Sequence, residues 1–217
     1  MTDRRDFLGS LLALGAVPTL AKVPHSPAAP QGGSAWNVAW ADKLTGKHKM
    51  VFDSPEISQG LALLRALIWI KDYGDVYKAP ASDMNAVVVL RHNAIWMVMN
   101  DEFWNHHDIG AKTGIKDPKT GAPIKRNPVL GPTPWTDLPP QVADNALTKA
   151  LAATTILACN LAFQEVVEVE KAEAKVDDAR ARAMAISHIV PGIILQPSGA
   201  FALSRAQEAG CHYMNAS

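Results

Sequence analysis

Short apolar runs separated by amphipathic stretches set the rhythm of the chain. Lys49–Asp53 (Lys-Met-Val-Phe-Asp), Ala86–Leu90 (Ala-Val-Val-Val-Leu), Thr154–Ala158 (Thr-Thr-Ile-Leu-Ala) and Gly192–Gln196 (Gly-Ile-Ile-Leu-Gln) predict strands, and Cys211–Met214 predicts a shorter fifth. The unbroken β-branched run at Ala86–Leu90 is the pattern of a strand buried on both faces. Between these runs the period changes to that of helices. Leu61, Leu64, Leu67 and Ile68 share one face of a helix whose start reads as Ser54-Pro55-Glu56, a cap, a first-turn proline and a first-turn acid, and whose stop falls before Gly74. Ile95–Phe103 and Pro140–Ala152 also read as helical, Asn160 and Asp177 as caps of the next two helices, and Ser198 as the cap of a last one ending at Gly210. Strands alternating with helices imply βαβ crossovers. The expected fold is therefore a three-layer α/β/α domain with a mostly parallel five-stranded sheet, spanning residues 36–217.

One segment departs from this rhythm. Asn105–Asp137 carries five prolines and four glycines, too long for an ordinary connection inside a compact domain. It reads as a lid over the site, an oligomer contact or a surface excursion, pinned by the flanking Trp104 and Trp135.

The N-terminal 21 residues differ in another way. Arg4-Arg5-Asp6-Phe7-Leu8 precedes an apolar stretch from Leu8 to Ala21, too short to cross a hydrocarbon core. Paired arginines, a short apolar region and a small residue at its end predict a cleaved signal peptide of the twin-arginine type, hence the Tat export machinery as a partner and a periplasmic location. Residues 22–35, rich in Pro, Ala, Gly and Ser, read as a flexible linker.

Composition narrows the function. The 217 residues include 21 basic and 21 acidic side chains, with 48% apolar residues, so a core is available and no basic footprint for nucleic acid exists. The signal segment removes two charges of each sign, which leaves the mature chain neutral. No Gly-x-Gly-x-x-Gly follows the first strand and no P-loop occurs, so no nucleotide or other cofactor is expected.

Ligands of open parallel sheets bind at the carboxyl ends of the strands. The residues leaving those ends are Asp53 and Ser54; Arg91, His92 and Asn93; Cys159 and Asn160; and Gln196, Pro197 and Ser198. Cys159 is placed at the start of a helix, where the dipole and a neighbouring Arg91 or His92 favour a thiolate. The candidate reacting set is Cys159 as nucleophile with His92 and Arg91 beside it, and Asn93, Asn160 and Ser198 as ligand-binding groups. The competing reading is an inert thiol at a strand end.

These residues carry a resemblance. Thr155-Ile156-Leu157-Ala158-Cys159-Asn160, the Gly192–Ala200 stretch with Pro197-Ser198-Gly199, Gln207-Glu208-Ala209-Gly210-Cys211-His212-Tyr213 and the strand Val87–His92 look like the DsrE/DsrF-like sulfur-relay proteins. The resemblance covers most of residues 48–214 and is best in the C-terminal unit. It implies a small α/β fold assembling as homo-oligomers (trimers or hexamers), with Cys159 as a persulfide carrier that handles a sulfur species. The alternative is a non-enzymatic oligomeric module that binds a small ligand or a periplasmic partner protein, with Asn105–Asp137 as its contact surface.

Two further patterns bear on the chemistry. Cys159 leaves its strand at the carboxyl edge and Cys211 enters the last strand at the amino edge. A five-residue strand is roughly 17 Å long, so no disulfide should join them. His106-His107-Asp108, with His92, Met97 and Met99 nearby in sequence, lacks the His-x-x-x-His spacing, and adjacent histidines on one helix point about 100° apart. No metal is expected from the sequence, and Glu165–Lys175 reads as a solvated helix face.

Overall fold

Each apolar run becomes a strand of one sheet. In the computed structural model, which describes residues 36–217, β1 spans His48–Ser54, β2 Met84–Leu90, β3 Thr155–Cys159, β4 Ile194–Gln196 and β5 His212–Asn215. All neighbours pair in parallel, in the order β4-β3-β2-β1-β5. The export-signal and linker readings of residues 1–35 lie outside the described residues.

Eight α-helices accompany the strands among the described residues: α1 Leu61–Tyr77, α2 Asp101–His106, α3 Ile109–Thr113, α4 Pro140–Ala143, α5 Ala146–Ala153, α6 Asn160–Ala174, α7 Asp178–Ser187 and α8 Gly199–Glu208. Alternate strand residues face opposite sides. Phe52, Ala86, Val88, Leu90, Ile156 and Ala158 join a large core with α1, α2 and α5 to α7, whereas Val51, Val87, Val89 and Leu157 join a smaller one with Ala202 and Ala206 of α8 and with Trp40. The chain is thus a three-layer α/β/α domain whose second layer is thin.

The reason is the order of the strands. From β1 to β4 the chain steps across the sheet in one direction, so its right-handed crossovers all lie on one face. To reach β5, beyond β1, it must reverse, and α8 carries it back under β3, β2 and β1 on the opposite face.

Several element boundaries differ from the sequence expectation. Ser54 does not cap a helix: β1 runs through it, and its carbonyl accepts the Arg91 N–H at 3.0 Å. Helix α1 starts only after a 3₁₀ turn at Ser58–Gly60, with Gly60 at φ 73°, where an added Cβ would lie 2.8 Å from Val129 Cγ1. It runs through Gly74 to Tyr77, since a glycine inside a helix costs only about 1 kcal/mol. Its inward residues are Ala62, Leu63, Leu64 and Ala66, while Ile68 is exposed. Ile95–Phe103 is not one helix either. A 3₁₀ stretch, His92–Val98, gives way to an extended Met99 that bridges to Ile189, and α2 then begins under the Asn100 cap. Asn145, at φ 56°, splits the Pro140–Ala152 prediction into α4 and α5. Helix α6 is capped by Cys159 and not by Asn160, which is its first residue.

The proline-rich Asn105–Asp137 segment is packed. It contains α3 and a bridge between Lys116 and Pro123, and it buries Ile109, Ile124 and Val129 in the main core. Gly110 allows the close approach: a Cβ there would sit 2.1 Å from the Ile124 carbonyl oxygen. Trp104 is fully buried and donates from Nε1 to the Trp96 carbonyl at 2.8 Å, whereas Trp135 is half-buried. The strongest tie is Asn127, which is 0% exposed. Its Nδ2 donates to the Met97 and Met99 carbonyls at 2.9 and 2.7 Å, its Oδ1 accepts from Val129 N at 3.1 Å, and its backbone N–H donates to Asp101 at 2.9 Å. Replacing this side chain strands buried polar groups, each costing about 1–3 kcal/mol. Asn127→Ala is expected to lower the unfolding free energy by about 2–4 kcal/mol in urea titrations; a loss below about 0.5 kcal/mol would show that Asn127 is not the tie.

Candidate functional site

The reversal at β4 fixes where a crevice opens. Strand β3 sends its helix, α6, to one face, and its neighbour β4 sends α8 to the other. Adjacent strands with diverging helices leave a gap at their carboxyl ends, which is where open α/β sheets bind ligands. Cys159 and Gln196, the last residues of the two strands, are paired across this gap.

A cleft of about 650 Å³ lies there, lined by Arg91, His92 and Asn93 after β2, by Cys159, Leu161, Ala162 and Glu165 of the β3–α6 turn, and by Ser198, Gly199, Ala200 and Leu203 of α8. Five of the six site residues expected from sequence therefore converge. Asn160 does not: its Oδ1 accepts from Arg182 at 2.6 Å, and it lines no part of the cleft. Gln196 is also turned to structure. It accepts from Trp40 Nε1 at 3.1 Å and donates to the Asn37 carbonyl at 2.8 Å, anchoring the start of the described chain against β4.

Cys159 is 6% exposed and sits on the cleft wall. Its Sγ accepts the Ala162 N–H at 3.4 Å, so the thiol takes the position of an N-cap side chain. Ser198 makes the equivalent cap on α8, its Oγ accepting from Phe201 N at 3.0 Å. Two helix N-termini thus flank one cleft and give it a positive bias.

Arg91 is less available than the sequence suggested. Its Nε and Nη2 donate to the two carboxylate oxygens of Asp53 at 2.7 and 2.8 Å, and Tyr213 Oη donates to the same carboxylate at 2.8 Å. Asp53 is 1% exposed, so this pair is held in a poorly solvated position. The hydrogen bond with Asp53 raises the pKa of Arg91 above its ordinary value, and sharing its proton with Asp53 raises that of Tyr213. With Nε and Nη2 committed, Nη1 is the guanidinium nitrogen left for a ligand. The stem of Arg91 passes over Gly199, where an added Cβ would lie 2.7 Å from Arg91 Cδ. The glycine of Pro197-Ser198-Gly199 is therefore what lets α8 start against this arginine. His92 is exposed and holds a left-handed backbone, φ 46°; Asn93 donates to Glu56 at 2.8 Å at the rim.

A second cleft of about 540 Å³ shares Asn93 and Glu165 with the first. Its wall includes Glu56, Gln59 and Trp96 together with Lys112, Thr113, Ile115 and Trp135 from the proline-rich segment. Lys112 Nζ lies 4.9 Å from the Trp96 ring centroid, so its charge is held over an aromatic face. Sequence reasoning named neither Glu165 nor Lys112 as site residues. Glu165 lies in the second turn of α6, six residues after its Cys159 cap, a separation that on helical periodicity alone does not mark the two as neighbours.

The two cysteines lie at opposite ends of the sheet and both are free thiols. Residues that could hold a metal are elsewhere: His106, His107 and Glu173 gather at the far end of α6. No family model, curated protein or solved structure matches this chain.

Burial pushes the Cys211 thiol up to about 11. At pH 8 only about one Cys211 in a thousand would be thiolate, the form that alkylates. Native labelling with N-ethylmaleimide at pH 8 is expected to modify Cys159 first and to leave Cys211 intact until the pH approaches 11. Equal labelling of the two at pH 8, read by peptide mass spectrometry, would contradict that placement.

Proposed function

We propose that the Cys159 cleft binds a small anionic sulfur species and that Cys159 carries the transferred sulfur as a persulfide. The observation that supports this most is the position of a lone thiol at the fork of β3 and β4, between two helix N-termini and beside Arg91. An inorganic polysulfide fits such a lining: its negative ends suit the first amides of α8 and the outer Arg91 nitrogen, and its sulfur chain suits Leu161, Ala200 and Leu203.

The chemistry is a sulfur exchange. The Cys159 thiolate attacks the terminal sulfur of a hydropolysulfide, a new S–S bond forms at Sγ, and the S–S bond joining that terminal sulfur to the rest of the chain breaks. The electron pair of the broken bond leaves on the shortened polysulfide, so no external oxidant is consumed. The thiol proton is lost before attack, and His92, which lines the same cleft, is the group assigned to receive it.

In this reading the chain is exported by the twin-arginine machinery, loses residues 1–21 and acts in the periplasm as a homo-oligomer. Support for assembly comes from β5, an edge strand whose Tyr213 and Met214 are 48% and 36% exposed. A binding role for the neighbouring cleft, with a small ligand or partner protein held by Lys112 and Trp135, is the second reading, supported by the share of that wall contributed by residues 105–137.

Treatment of the purified protein with polysulfide, followed by intact-mass and peptide mass spectrometry, tests the first reading. Gain of one sulfur atom on Cys159, reversed by dithiothreitol and absent in Cys159→Ser, is the expected result; no gain on wild type would sink it. Arg91→Lys, which loses the bidentate hold on Asp53, is expected to slow sulfur loading about tenfold or more, because the outer nitrogen is no longer positioned.

A further inference from the structure

At the end of α6 remote from Cys159, six titratable side chains from three helices and their C-caps crowd together, with Glu102 of α2 facing His188 Nδ1 at 3.8 Å. His106 Nε2 lies 2.9 Å from Glu173 Oε1, and His107 Nδ1 lies 2.6 Å from Glu173 Oε2. On its other side His107 Nε2 faces Glu170 at 3.3 Å, and His188 Nε2 faces the same Glu170 oxygen at 3.8 Å. The His107 and Glu170 side chains are 1% and 4% exposed. His107 Nε2 and His188 Nδ1 are buried without a hydrogen-bond partner.

Two features of this cluster call for a cation. Glu170 and Glu173 sit in the last turns of α6, where the helix dipole disfavours negative charge. In addition, a neutral imidazole has one N–H, yet His107 meets a carboxylate at each nitrogen. Whichever nitrogen carries the proton, the lone pair of the other confronts an anion. A metal ion on Nδ1 removes the conflict: Nδ1 ligates, and Nε2–H is released to the buried Glu170. A carboxylate behind a ligating histidine is the usual outer support of a metal-bound imidazole.

We infer that His106 Nε2, His107 Nδ1 and the Glu173 carboxylate form a site for a divalent transition-metal ion of the Zn²⁺ class, with Glu170 orienting His107 from behind. The candidate ligand atoms all lie within 4.8 Å of one another. Ligand atoms around a tetrahedral Zn²⁺ sit about 3.3 Å apart, so modest side-chain shifts admit the ion. The expectation that neighbouring histidines diverge by 100° fails here for a local reason. Helix α2 ends at His106, and His107 leaves it with φ −97° and ψ 12°; the rings then stand 4.7 Å apart at 83° and use different nitrogens. Two imidazoles and one carboxylate leave one tetrahedral position open, and the 64% and 47% exposure of the His106 and Glu173 side chains puts that position at the surface. The expectation that Glu165–Lys175 is only a solvated face is corrected at Glu170, which is 3% exposed.

Glu173 is fourteen residues along α6 from Cys159, about 21 Å at 1.5 Å per residue, so this site stands independently of the sulfur chemistry. The test is Zn²⁺ titration of the tag-free, chelator-stripped full chain by calorimetry, in parallel with His106→Gln, Glu173→Gln and Cys159→Ser. One Zn²⁺ per chain is expected, weakened at least tenfold in each of the first two variants and unchanged in the third. His106 and Glu173 are exposed, so their replacement should leave the circular dichroism spectrum as in wild type. Absence of stoichiometric binding, binding that survives in both variants, or binding lost in Cys159→Ser would overturn the site.

Discussion

The constraint on which this molecule turns is the return of the chain across its own sheet. Four strands laid down in one direction leave the fifth position on the far side of β1, and only a crossover on the opposite face can reach it. That single reversal separates the starts of α6 and α8, opens the crevice between β3 and β4, and brings two helix N-termini to bear on it. It also explains the thinness of the second layer, since one helix and the Trp40 segment must cover a face that three crossovers cover on the other side. Alanines at 202 and 206 let α8 lie close enough to do so.

Asp53 ties the ends of the reversal together. It stands on β1, accepts both contacts of Arg91 from the end of β2, and accepts the hydroxyl of Tyr213 from β5, while its own carbonyl accepts the Ala216 N–H at 2.8 Å. A buried ion pair of this kind adds little net stability against an apolar replacement, but removing one partner costs about 3–5 kcal/mol because the other charge is left unpaired. Its effect is therefore on geometry more than on stability. It holds the last strand in register with β1 and fixes Arg91 on the wall of the cleft. Gly199 belongs to the same arrangement, because any side chain there would displace the arginine stem.

The sheet was legible because continuous apolar runs such as Ala86–Leu90 admit few alternatives. The convergence of Arg91, His92, Asn93, Cys159 and Ser198 followed from the rule that parallel sheets bind at their carboxyl ends. Boundaries were less legible where local signals competed with pairing. Ser54-Pro55-Glu56 has good capping chemistry, yet the ladder with Arg91 claims Ser54 first. What the sequence withheld was commitment: nothing in the local pattern of Arg91 or Gln196 announces that Asp53 and Trp40, distant in sequence, already occupy them. The same holds for Glu170, whose charged neighbours suggest an exposed face. It is buried only because α2 and α7 pack over that turn of α6.

The proline-rich segment links these parts. Through Asn127 it holds the carbonyls of Met97 and Met99 and, by its backbone, the side chain of Asp101 at the first residue of α2. Helix α2 is only six residues long, too short to set its own direction by packing alone, so what fixes its start also fixes where its end points. That end delivers His106 and His107 to Glu173 and Glu170. On its other flank the segment supplies Lys112 and Trp135 to the second cleft, which adjoins the Cys159 cleft at Asn93 and Glu165. A stretch that reads as an interruption of the α/β pattern thus acts as a brace: it positions groups at both ends of α6, and an alteration in its packing would be felt at the thiol end and at the histidine end together.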